Sequence, residues 1–146
     1  MRRLIIAKQE WDAHLTQILP SFRIYAPINN GSSVDYLEIQ TGLIPDIVYN
    51  EPKPVTPLKQ FFLPVRENVT REVQPGQPSL IIGAPNCDVE ALGLMDQIYL
   101  DSTFPDEFYR HRRKSTTILC TDCLSINDHC HCSSYGIEPK GNGKSD

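Results

Sequence analysis

No run of apolar side chains in this sequence is long enough to span a bilayer. Stretches such as residues 4–7 and 80–82 fall far short of the roughly 20 residues that a membrane helix needs. The start, MRRLIIAKQEW, places only four apolar residues behind its two arginines, where a secretory core needs about 7–15. Basic charge is not in excess: 14 Lys and Arg against 18 Asp and Glu give a net charge of −4. The broad basic face required for general nucleic-acid binding is therefore missing, and no nucleic-acid partner is expected. There is no P-loop, no GxGxxG turn and no GxSxG elbow. Nor is there an internal repeat. Even the cysteine count is odd, at 5, so a closed disulfide framework would leave one thiol over. A cytoplasmic chain is expected, in which clustered cysteines bind metal or do redox chemistry more often than they crosslink.

What is present suits one globular domain over 1–146. A chain of 146 residues buries about two-thirds of its unfolded surface, so it does not need crosslinks to fold. Trp11, Leu15, Ile18 and Leu19 predict a helix over 8–19, stopped by Pro20. Strands are expected at 22–26 and 34–39, joined by hairpin chemistry in Asn29-Asn30-Gly31-Ser32. A third short strand is expected at 47–49. Residues 50–78 carry six of the 12 prolines (Pro52, Pro54, Pro57, Pro64, Pro75 and Pro78) and read as an extended arm laid against the core. Lys59 and Arg66 within it read as surface charge.

The second half is more regular. SLIIG at 79–83 predicts a buried strand, and 88–100 a helix with Val89, Leu92, Met95, Ile98 and Tyr99 on one face. A second helix is expected at 104–114, opened by Ser102 or Thr103 with Pro105 in its first turn. A strand follows at 116–119. Strand, helix, helix, strand is a crossover that favours parallel pairing, so the predicted class is α/β, a small mixed sheet with flanking helices. The basic run Arg110–Lys114 reads as charge suited to a helix C-terminus, or else as a docking patch for an acidic partner. Residues 140–146 read as a tail or truncation point.

Chemistry is concentrated in CTDCLSINDHCHC at 120–132, which holds Cys120, Cys123, Cys130 and Cys132, with His129 and His131 beside them. Cys87 lies far upstream, in GAPNCD. If 79–83 and 116–119 are parallel neighbours, all five cysteines converge on the C-terminal ends of the two strands, where open α/β sheets place their ligands. Cys87 would also sit at a helix N-terminus, whose partial positive charge favours thiolate. The spacing C-x2-C-x6-C-x-C is tight for zinc, which favours two well-separated pairs. Iron–sulfur clusters take four thiolates at varied spacings, so spacing alone leaves both open. Cys130 with His14 or His111 would make a nucleophilic pair, but nothing in the sequence places them together.

From residue 57 to 139, a little over half the chain, the sequence resembles the electron-transfer beta subunit of cytosolic nickel–iron hydrogenases (sulfhydrogenases) and the related A subunit of anaerobic sulfite reductase. The resemblance rests on Pro57-Leu58-Lys59 with Phe62-Leu63-Pro64 and Glu67; on Gly83-x-x-x-Cys87-Asp88; and on Asp96, Asp106, Tyr109 and Arg112-Arg113. It continues in Cys123-x6-Cys130-x-Cys132 and then Ser134-x-Gly136-x-x-Pro139. It implies a [4Fe–4S] cluster on Cys87, Cys123, Cys130 and Cys132, with Cys120 the extra cysteine. It implies an accessory role rather than catalysis by the chain alone, with a flavin-containing subunit and a hydrogenase or reductase core as partners. His131 stands where the family has Phe and Asn86 where it has Pro, and both make the site more polar. The family continues into a ferredoxin-like part that this sequence does not show. The alternatives are a structural zinc module using Cys120, Cys123, Cys130 and Cys132, and a metal-free scaffold.

Overall fold

A computed structural model describes residues 4–50, 54–66, 76–126, 128 and 130–141. Met1 to Arg3, Pro52, Glu67, Pro75, His129 and residues 142–146 of the expected tail lie outside the described residues. The elements run α1 (Lys8–Ile18), β1 (Arg23–Asn29), β2 (Val34–Glu38), β3 (Ser79–Pro85), α2 (Asn86–Tyr99), α3 (Glu107–Lys114) and β4 (Thr116–Thr121). Short 3-10 helices occupy Thr41–Asp46, Leu58–Phe61 and Cys132–Tyr135. The four strands form one mixed sheet in the order β2-β1-β3-β4. β1 and β2 are antiparallel, while β1–β3 and β3–β4 are parallel. The predicted α/β class, with its parallel crossover, is what the chain adopts.

Each face of the sheet carries its own apolar core. On one, Leu15 of α1 and Ile44 pack over Ile24, Ala26, Ile28, Leu80 and Ile82. On the other, Val89 and Leu92 of α2, Tyr109 of α3, and Leu58 and Phe62 pack over Tyr36, Ile81, Ala84 and Ile118. Residues 54–66 thus reach the core through Leu58 and Phe62, while Lys59 and Arg66 are exposed.

Several boundaries differ from expectation for physical reasons. β1 runs on to Asn29 through Pro27, because parallel pairing with β3 ends at Tyr25↔Ile81 and leaves the N–H-less side of Pro27 with no ladder bond to make. Residues 47–49 make only an isolated bridge, Ile28↔Ile47. α3 is opened by Asp106, whose side chain accepts from the Tyr109 N–H, rather than by Ser102 or Thr103. Ile98 faces outward at 68% exposure, off the predicted apolar face.

The basic run and the acidic residues before it make a scaffold. Tyr109 Oη donates to Asp96 at 2.6 Å and Arg113 Nε pairs with the same carboxylate at 3.2 Å, tying α3 to α2. Arg112 Nη1 donates to the Phe62 carbonyl at 2.7 Å, tying α3 to 54–66.

Candidate metal centre

Gly83 decides how β3 delivers the chain to the site. Its φ is +78°, in the region that favours glycine. The register with β4 slips there, from Ile82↔Leu119 to Ala84↔Cys120. The slip is a β-bulge, one extra residue that turns the rest of the strand to a new face. Ile82 packs in the first core and Ala84 in the second, although two residues apart would ordinarily share a face. Pro85 then caps α2 directly, making Asn86 and Cys87 its first two residues.

β4 is longer than the sequence pattern predicts and contains Cys120, expected just after the strand. Cys120 packs against the second core, and its Sγ–H donates to the Thr121 carbonyl at 3.6 Å. The Gly141 backbone covers it: a Cβ there would stand 3.3 Å from Cys120 Sγ. Cys123 lies two residues beyond β4, Cys130 is exposed, and Cys132 opens the last 3-10 helix.

Residues 132–141 then return as a strap. Gly136, at φ +66°, ends the 3-10 helix in the left-handed conformation that closes such turns. Ile137 N donates to Cys132 O, Cys123 N to Pro139 O and Gly141 N to Asp122 Oδ1, each at 2.9 Å. Asn86 Nδ2 donates to Glu138 O, also at 2.9 Å. The strap thereby joins the cysteine loop to the N-terminus of α2. Asn86, expected to make the site more polar, is buried at 2% exposure. Its Oδ1 has no hydrogen-bond partner among the described residues. Asp88 braces the other side, accepting from Leu58 N at 3.4 Å. Asn86 and Asp88 were visible in the sequence as neighbours of Cys87, but not as supports.

All five cysteines are thiols, and two of them, Cys120 and Cys123, are shifted by burial and by their neighbours. Burial pushes the Cys120 thiol up to about 11, helped by Asp122, Cys123 and Cys87. Burial also raises Cys123, with Cys132, Cys130, Asp122 and Asp88 adding to it. Thiols that resist ionising together are relieved by a bound cation. The donors therefore suit a thiolate-held metal group in kind. As they stand, no three His, Cys, Asp or Glu side chains among the described residues are gathered into a ready ligand sphere. His131 is exposed. His14 lies on α1 beside Trp11, with ring centroids 5.8 Å apart, and His111 lies in the last turn of α3. Neither is brought to Cys130, so the nucleophilic pair is not formed.

No helix among the described residues is long and apolar enough to cross a membrane. No family model and no solved structure matches the chain. Over 123 residues it is 25% identical to sulfhydrogenase 2 subunit beta of Pyrococcus furiosus. The match covers 80% of this chain, which spans 36% of that subunit's length. At that identity the chain is a distant relative of the sulfhydrogenase beta subunit.

Proposed function

We propose that this chain is an electron-transfer or assembly module of a cytoplasmic multi-subunit redox enzyme of the hydrogenase or sulfite reductase type. In this reading Cys87, Cys123, Cys130 and Cys132 hold a [4Fe–4S] cluster. What supports it is that Cys87 follows β3 and Cys123 follows β4, at the same end of two parallel neighbours, in a distant relative of a sulfhydrogenase subunit. When bound, such a cluster supplies one-electron transfer through its own iron.

The chain's residues supply the setting. Cys87 stands in the first turn of α2, where the unpaired backbone N–H groups carry partial positive charge. The strap holds Cys123 and Cys132 to a common segment through backbone bonds. The second core limits water below the site, which tunes a potential. Cys120 is the packing thiol, engaged by the core and by Gly141. The remaining partners would be a flavin-containing subunit and the catalytic core of the complex, and catalysis is assigned to them.

Anaerobic purification with iron, zinc and acid-labile sulfide measured on one sample tests this. About four irons and four sulfides per chain, with a broad visible absorption that bleaches on reduction, is the expected result. One zinc without sulfide would instead make the chain a structural module held by Cys120, Cys123, Cys130 and Cys132. No metal at all would leave a scaffold.

A further inference from the structure

At the opposite end of the sheet from the cysteines lies a cleft of about 390 Å³, within the range of small-ligand sites, roughly 300–1,000 Å³. It opens where β1, β3 and β4 begin, with Arg23, Ser79 and Thr116 side by side in register, and is bounded on one side by Phe108, His111 and Arg112 of α3. Tyr25, Phe61 and Phe108 supply aromatic surface, and Arg23, His111 and Arg112 supply positive or ionisable groups. No carboxylate is among the described residues lining it.

The two arginines are held differently. Arg112 is fixed in the wall by its 2.7 Å bond to the Phe62 carbonyl, and burial lowers its pKa from the ordinary arginine value. Arg23 meets Glu38 at 3.6 Å, with both side chains at least half exposed. Such a surface pair is worth little, so an anion can compete for the guanidinium. The Tyr25 and Phe61 rings stand 5.0 Å apart, tilted by 59°. Both also line an adjoining hollow of about 230 Å³ with Tyr36, Thr56 and Gln60. The hollow thus adds hydroxyl and carboxamide groups next to the aromatic pair.

We propose that this cleft binds a small planar aromatic anion of the mononucleotide class. Its anionic group would lie at the Arg23 and Arg112 end, its ring against Tyr25, Phe61 and Phe108, and its sugar hydroxyls towards Thr56 and Gln60. Stacking and a charge-assisted contact act on different parts of such a ligand, so each alone binds weakly and the two together bind specifically. The site is separate from the cysteine end and does not depend on metal there.

Titration of the full chain with adenosine monophosphate, monitored by amide NMR, tests the assignment, with adenosine and inorganic phosphate as partial ligands. The expected result is saturable shifts at residues 23–25, 79–81 and 111–116, with both partial ligands binding more weakly. Arg23→Gln should weaken binding about tenfold, as loss of a charge-assisted contact does, and Phe108→Ala should weaken it independently. The same spectra report whether each variant is folded. No saturable shift at millimolar ligand, shifts located elsewhere, indifference to both substitutions, or inorganic phosphate binding as well as the nucleotide would each overturn the proposal.

Discussion

Replacing Gly83 by alanine tests the bulge that aims β3 at the cysteine end. Two penalties combine. The backbone there has φ +78°, a conformation that costs an L-residue about 1–2 kcal/mol. The new Cβ would stand 2.8 Å from Cγ and 3.0 Å from Cδ of Pro27. Those atoms belong to a closed ring inside β1, so neither side yields cheaply, and overpacking of this kind costs about 1–3 kcal/mol. The sum, about 2–5 kcal/mol, is a large part of the roughly 5–15 kcal/mol that stabilises a typical domain. Gly93 provides the internal control. It lies in the middle of α2, and a Cβ added there would meet nothing within 4 Å, so Gly93→Ala should gain about 0.5–1 kcal/mol from helix propensity. Urea unfolding of both variants beside the parent protein reads the difference. The same chemical change should move the midpoint in opposite directions. A Gly83→Ala protein as stable as the parent, or a Gly93→Ala protein as damaged as Gly83→Ala, would refute the reasoning.

Tyr109→Phe removes the 2.6 Å hydrogen bond to Asp96 from a side chain with 0% exposure; unfolding stability should fall by about 1–3 kcal/mol, with Arg113→Lys giving a smaller loss. Burial would raise the Asp35 carboxyl, but hydrogen bonds from Thr56 and Tyr36 outweigh it and hold it below its ordinary value. Its stabilisation is therefore present above the unfolded-state pKa and is lost as pH falls through the lower folded one. Urea midpoints of the parent and Asp35→Asn proteins should differ at neutral pH and converge in acid, whereas a constant gap would contradict the assignment.

The hairpin, the buried strands and the parallel crossover were legible because each carries a local signature. Asn30-Gly31 allows the tight turn, SLIIG is apolar without alternation, and the helices between β3 and β4 require a crossover. That topology alone was enough to expect Cys87 and the later cysteines at one end of the sheet. The strand assignment of Cys120 was not legible, since it depends on a register slip at Gly83 that has no side-chain pattern. Pro27 hid the length of β1, because a proline is excluded from a strand only where the ladder needs its N–H. The strap was hidden for a related reason. It is tied mainly by backbone groups of Cys123, Cys132, Ile137 and Pro139, and backbone bonds leave no mark in composition. Within the resembling motifs, Asp96, Tyr109 and Arg113 prove to be joints between helices, which their charge did not announce.

Iron and sulfide bound per chain, measured anaerobically for Cys87→Ser and Cys120→Ser beside the parent protein, bears most directly on the cysteine centre. Cys87→Ser should lose the cluster, while Cys120→Ser should retain it with at most a loss of stability from the second core. Metal kept in Cys87→Ser and lost in Cys120→Ser would contradict the account and move the site into the 120–132 loop alone.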